Sequence, residues 1–199
     1  MTEELQLLQQ QYQNCSRCPE LCKSRTQVVF GSGNFQAKIL LIGEAPGANE
    51  DRQGIPFCGM SGKVLNELLQ SINLDRKDIF ITNTILCRPP NNRAPAKEEV
   101  SKCSDRLERL IKIMQPEVIV TIGNFATERI LGKKGINGLR GKIFEHQGIK
   151  VVPVIHPASY LYSGRNPELL EQMKQDFQLI AEIISNNNDN NKQKTLGEY

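Results

Sequence analysis

No apolar run in this 199-residue chain approaches the ~20 residues that a membrane-spanning helix needs. The longest, at 39–42, 118–120 and 151–155, are strand-sized. The opening Met-Thr-Glu-Glu and the Gln-rich stretch behind it lack the basic start and apolar stretch of a secretory signal, so a cytoplasmic location is expected. Only two histidines occur, His146 and His156, which excludes a multi-histidine metal site. No Gly-Lys-Ser/Thr follows a glycine-rich turn, no Gly-x-Gly-x-x-Gly is found, and no Gly-x-Ser-x-Gly elbow is present. A P-loop, a dinucleotide fingerprint and a serine-hydrolase nucleophile are therefore unsupported. The net charge is only +3, far from that of a histone-like binder, and no internal repeat is visible.

What is present is globular in character: 39% hydrophobic and 24% charged residues, enough for one ordinary core. Residues 1–185 read as a single domain, and the polar, Asn-rich stretch 186–199 as a disordered tail. The charge is uneven. Arg129, Lys133, Lys134, Arg140, Lys142 and Lys150 stand against Glu128 and Glu145 between positions 128 and 150, a local excess that suits either phosphate contacts or a solvated surface.

Apolar periodicity predicts a short helix over 3–13, a buried strand over 38–42 and a long Gly/Pro-rich loop over 44–59. Ser61 is then expected to cap a helix whose stripe is Val64, Leu65, Leu68, Leu69 and Ile72. A strand over 78–86 ends in Cys87-Arg-Pro-Pro-Asn-Asn-Arg93, and a helix over 97–114 follows. Next come a strand over 118–122, a helix to 131, strands near 143–146 and 150–155, and a final helix from Pro167. Strands alternating with helices imply an α/β fold, a three-layer α/β/α sandwich around a mainly parallel four-stranded sheet. Ligands of such sheets sit beyond the carboxyl ends of the strands, where Glu44, Asn83 and His156 would converge.

Cys15-x-x-Cys18 has metal-ligand spacing, and Cys87 and Cys103 add two more thiols. In a reducing compartment four such cysteines suit tetrahedral zinc, an iron–sulfur cluster, or buried free thiols. Cys22 is a substitute ligand candidate, and Cys58 reads as a packing residue. Gly43-Glu-Ala-Pro-Gly47 closes the first strand with a turn that brings backbone close to a ligand, or simply leaves Glu44 exposed. Phe57 is either a stacking platform for a planar base or core packing. Asn83 is more telling: its carboxamide, inside an apolar strand, needs a partner, and donor plus acceptor match a pyrimidine edge. His156, at a strand end, is either functional or a hydrogen-bonded structural residue.

Together the cysteine pattern, Gly43-Glu-Ala-Pro-Gly47, Gly54-Ile-Pro-Phe-Cys-Gly59, Thr82-Asn83, Cys87-Arg-Pro-Pro-Asn-Asn-Arg93 and His156-Pro-Ala resemble the family-4 uracil-DNA glycosylases over roughly residues 12–182. The resemblance implies a [4Fe–4S] cluster on Cys15, Cys18, Cys87 and Cys103 with a structural role. It implies a uracil pocket formed by Gly43, Glu44, Ala45, Phe57, Asn83 and His156, in which uracil stacks on Phe57 and is read by Asn83. His156 would stabilise the departing uracil, and Glu44 would orient water or stabilise the sugar cation. Ala45 stands where related families carry a water-activating Asp or Asn. The implied reaction is monofunctional base excision in DNA repair, leaving an abasic site, with U·G opened more readily than U·A.

Ser61, Gly62, Arg88, Arg93 and Lys142 are candidate DNA contacts, and Leu161 is the candidate wedge. The segment 159–165 is longer than the family's usual His-Pro-Ala-x-x-Leu loop. The implied partner is uracil-containing DNA, single- or double-stranded, with no membrane. The chain is expected to act as a monomer; a sliding clamp or polymerase is a candidate partner that no residue identifies. The competing readings are a non-enzymatic nucleic-acid-binding protein with a structural zinc, and a hydrolase of free nucleosides.

Overall fold

A computed structural model describes the backbone of residues 3–196 and the side chains of residues 3–186. The chain opens with α1 (Glu3–Gln13) and α2 (Pro19–Ser24), then a two-residue strand β1 (Ser32–Gly33) and β2 (Ile39–Gly43). Helices α3 (Ala48–Gln53) and α4 (Met60–Gln70) lead to β3 (Phe80–Asn83), α5 (Lys97–Met114), β4 (Val118–Ile122) and α6 (Gly123–Leu131). The last third holds α7 (Ile136–Leu139), β5 (Phe144–His146), β6 (Ile149–Val154), α8 (Ala158–Tyr162) and α9 (Pro167–Leu196). Of the tail expected over 186–199, the backbone as far as Leu196 belongs to α9, and the side chains from 187 onward lie outside the described residues.

Among the described residues the strands form one six-stranded sheet in the order β1-β3-β2-β4-β6-β5. The inner four strands are parallel; β1 and β5 pair antiparallel at the edges. The expected four-stranded sheet thus gains two short edge strands. Ser32–Gly33 carries no apolar alternation that would mark it as a strand, and it pairs only because β3 offers an open edge.

Each inner strand is buried on both faces. Ile39 and Leu41 point into one core with Val118, Val120, Val152 and Val154, against α4 and α9. Leu40 and Ile42 point into the other with Phe80, Ile119 and Val151, against α1, α5 and α6. This period-two split inside continuous apolar runs is what a covered parallel sheet requires. The α4 stripe lies wholly in the first core. In α9 it is Ile183, 3% exposed, that is deeply buried, with Ile184 packed at the margin.

The strand expected over 78–86 leaves the ladder at Asn83. Thr84 N–H donates to Gly43 O at 2.9 Å and Ile85 N–H to Glu44 O at 3.2 Å, so the segment after β3 is hung on the turn after β2. Strand order reverses at β2, since β3 lies on one side and β4 on the other. That is where an open α/β sheet leaves a crevice at its carboxyl edge.

Candidate active site

The crevice is a cavity of about 370 Å³ whose wall includes Glu44, Ala45, Phe57, Asn83, Arg93 and His156. Five of the six residues expected to form the pocket line it directly. Gly43 lies beneath: a Cβ there would stand 2.4 Å from Asn83 Oδ1 and 2.8 Å from the Phe57 ring. Only a glycine lets the amide and the ring approach each other over β2.

Phe57 belongs to the core and faces the cavity at once. It is buried, and its ring lies 5.7 Å from the His156 ring at an angle of 30°. Its backbone is left-handed, φ 51°, a costly conformation for an aromatic residue. Three residues hold it there. Arg76 donates from Nη1 to Pro56 O (3.0 Å) and from Nη2 to Phe57 O (2.5 Å), while its Nε grips Asn66 Oδ1 (2.7 Å). Glu50 accepts the Gly59 N–H at 3.0 Å. Gly62 packs so tightly that a Cβ would lie 1.7 Å from Phe57 O. Arg76 carried no sequence signal because it acts on a loop distant in the chain, and Glu50 none because its contact depends on how its own loop folds back.

Asn83 is 2% exposed. Its backbone oxygen accepts from Arg106, but among the described residues no protein group hydrogen-bonds its carboxamide, which faces the cavity. A buried amide without a protein partner leaves its donor and acceptor open to a group from outside the chain.

His156 ends the strand run, and the Ala158 N–H donates to its Nδ1 at 3.1 Å. The proton of the neutral ring is therefore on Nε2, a donor. Burial pushes its pKa down to about 4, against a weaker upward pull from Glu50. The ring is neutral at physiological pH and still donates. Gly123, with φ 84°, seats it: a Cβ would lie 3.3 Å from His156 Cβ. Glu44 is half-buried, and burial raises its pKa above the ordinary carboxylate range, which makes it a better proton acceptor.

The candidate DNA contacts divide. Ser61 lines the cavity, but the cap of α4 is Gly59, not Ser61; Ser61 sits within the first turn, because Glu50 already holds the Gly59 N–H. Gly62 is buried, and its lack of a side chain is explained by Phe57. Arg93 borders the cavity but forks onto Glu99 at 2.9 and 2.6 Å, so its charge is balanced within the protein. Arg88 donates from Nε to Asn92 at 2.8 Å. Lys142 is exposed, donates to Gly138 O at 2.8 Å, and follows Gly141, whose N–H reaches Pro153 O.

Leu161 packs against the core, whereas the next residue, Tyr162, is 88% exposed and stands at the cavity mouth. The first part of the 159–165 segment, to Tyr162, belongs to α8, and one helical step of about 100° turns Leu161 inward and Tyr162 outward. The longer loop hid that rotation from sequence reading.

Cys18, Cys87 and Cys103 are buried in one apolar cluster, and Cys15 packs against it. Arg25 Nη1 donates to Cys87 Sγ at 2.9 Å, orienting that sulfur as an acceptor. Burial pushes the thiols of Cys18 and Cys87 up to about 11, so ligand binding there would release protons. Among the described residues no three His, Cys, Asp or Glu side chains could hold one metal ion. Thiolates around a single zinc stand within roughly 4 Å of each other; those of a four-iron cluster surround a larger core. The donor set is all sulfur, a chemistry that suits an iron–sulfur cluster as well as zinc. Cys22 directs its thiol at Cys15 O, 3.6 Å away, and Cys58 at Glu50, 3.7 Å away. No helix among the described residues is long and apolar enough to cross a membrane.

The model of the uracil DNA glycosylase superfamily matches residues 30–178. The chain is 41% identical to the type-4 uracil-DNA glycosylase of Archaeoglobus fulgidus over 99% of both chains. It is 40% identical to that of Thermotoga maritima, over 92% of this chain and 95% of the other. A type-5 uracil-DNA glycosylase of Pyrobaculum aerophilum is more distant, 28% identical over 73% of this chain and 78% of its own. A cavity floored by glycine, read by an unpartnered amide and faced by a neutral imidazole thus sits in a chain that belongs to the uracil-DNA glycosylase superfamily, among its type-4 members.

Proposed function

We propose that this protein hydrolyses the N-glycosidic bond of uracil in DNA, releasing the free base and leaving an abasic site. The observation that carries the reading is the buried Asn83 carboxamide, unpartnered in the protein and set beside Phe57 and the Nε2–H of His156. Uracil extruded from the strand stacks on Phe57. The Asn83 amide donates to O4 and accepts from N3–H, a pairing that cytosine inverts. As the C1′–N1 bond breaks, its electron pair moves onto the base, and His156 Nε2–H stabilises the charge gathering on O2. Because the ring is already neutral, it donates without surrendering its proton. Glu44 faces the sugar side, where its carboxylate steadies positive charge at C1′ and orients the water that adds there. The water's proton leaves to Glu44 or solvent, and the uracil anion is protonated after release. No lysine lines the cavity, so no Schiff base is invoked.

Cys15, Cys18, Cys87 and Cys103 are proposed to hold a [4Fe–4S] cluster that braces the structure and supplies no step of the hydrolysis. Cys87 lies four residues beyond Asn83, and the intervening segment carries the carbonyl contacts of Gly43 and Glu44. Ligation of Cys87 therefore fixes the backbone that presents both the amide and the carboxylate.

The test is uracil release from an oligonucleotide with one deoxyuridine, followed by alkaline scission at the abasic site and run beside free deoxyuridine. Release from the oligonucleotide alone is expected. Release from the free nucleoside, or from neither, overturns the reading.

At the mouth, Tyr162 is proposed to enter the base stack and occupy the gap left by uracil. Tyr162→Ala is expected to slow excision from duplex DNA about tenfold while barely changing excision from single strands, which have no stack to refill. Equal losses on both substrates would assign Tyr162 to the pocket instead.

A further inference from the structure

A fully buried cation requires compensating charge close by, and Arg106 finds no carboxylate. It is 0% exposed. Nη1 donates to Thr82 Oγ1 at 3.0 Å, and Nη2 to the backbone oxygens of Asn83 at 2.5 Å and Thr84 at 3.2 Å; all three acceptors are neutral. Its Nε has no partner among the described residues. The groups around it able to carry negative charge are Cys103, Tyr12 and Cys87, while Arg129 adds a like charge. Tyr12 is already engaged between Arg17 and Asp105. Cys103 lies three positions earlier on α5, hence on the same helix face. Cys87 ends the segment that begins at Asn83.

We infer that Arg106 is a buried counter-charge of the four-cysteine site, second to Arg25 on Cys87, and, through the same guanidinium, the tie that holds the uracil-reading end of β3 in place against it. The inference rests on the proposed cluster, since four thiolates around a [4Fe–4S]²⁺ core leave a net negative charge that a buried guanidinium balances. The fork is the second half of the device. A planar guanidinium with several fixed donors spans Thr82, Asn83 and Thr84 together, which the point charge of a lysine cannot do. Arg106 is a positioning residue: it touches neither base nor sugar, and acts on the backbone that carries Asn83.

Two variants of the holoprotein, purified anaerobically, separate charge from fork. Arg106→Gln removes the charge. Its cluster is expected to have a more negative reduction midpoint, because the added electron loses a nearby cation, and to lose iron to a chelator about tenfold faster. Arg106→Lys keeps the charge and loses the fork. Its midpoint and iron retention are expected to match the wild type, while uracil excision falls about tenfold, the weight of one lost charge-assisted hydrogen bond. Wild-type midpoint and iron retention in R106Q overturn the counter-charge. Wild-type excision in R106K overturns the tie. Should R106Q not fold, R106K still decides, because a shifted midpoint with the charge retained contradicts the inference. A wild-type protein without iron fails the cluster reading itself, a result visible before either variant is made.

Discussion

His156→Ala is expected to lower the rate of uracil release by roughly 10²–10³, the usual loss when one preorganised donor to a developing anion is removed, with DNA affinity nearly unchanged. Single-turnover rates measured beside binding isotherms check this; equal losses in both would make His156 a binding group. The geometry explains the separation. The Ala158 N–H occupies Nδ1, so Nε2–H is always presented, and it gains strength only as charge develops on the base. Protonating the ring would break that contact and place a cation in a buried site, which is why its pKa falls to about 4.

The pH behaviour follows. Between about 4 and the ordinary 6.5 the unfolded chain binds more protons at this residue than the folded one. The contribution of His156 to stability therefore rises with pH across that window and is complete above it. Toward the upper end of that range the ring stays neutral in the folded enzyme. The acid limb of the rate profile is expected to belong to Glu44, whose pKa burial raises, and Glu44→Gln should lower the rate and flatten that limb.

Asn83→Asp is expected to cost of the order of 10³ in uracil excision. A site built to hydrogen-bond a substrate group rejects one that leaves its buried polar atoms unpaired, and a carboxylate facing O4 adds repulsion. The same change should also lower thermal stability, because a carboxylate at a position 2% exposed loses its hydration without gaining a partner, so excision is compared at a temperature where both proteins are folded. Cytosine release should gain relative to uracil, since the carboxylate can accept from the cytosine amino group. Measuring both bases with one duplex pair separates lost recognition from lost folding. An unchanged preference for uracil would remove Asn83 from base selection.

Much of this site could be read in the sequence because its groups lie where the chain leaves a strand. Apolar runs such as 39–42 and 118–122 form buried parallel strands whatever surrounds them, so Glu44, Asn83 and His156 were bound to meet at one edge. The glycine at position 43 and the four cysteines are legible for the same reason: few other residues fit those demands. Local pattern also fixed α4, α5 and the start of α9 to within a residue or two.

What only the tertiary structure decided are contacts between segments far apart in the chain. Arg76 clamping Phe57 across nineteen positions and Gly123 seating His156 have no local signature. Arg106 occupies the apolar face of α5, where its charge reads as an anomaly until the sulfur site and the end of β3 are brought to it. The tyrosine at 162 and the leucine at 161 were ordered by a rotation that depends on the fold of an extended loop. Backbone periodicity sets which side of an element a residue takes, and hydrophobic burial rewards that choice locally. Which polar groups then meet is set by how the layers pack, because a buried charge or amide is tolerated only where another element, or a ligand, supplies its partner.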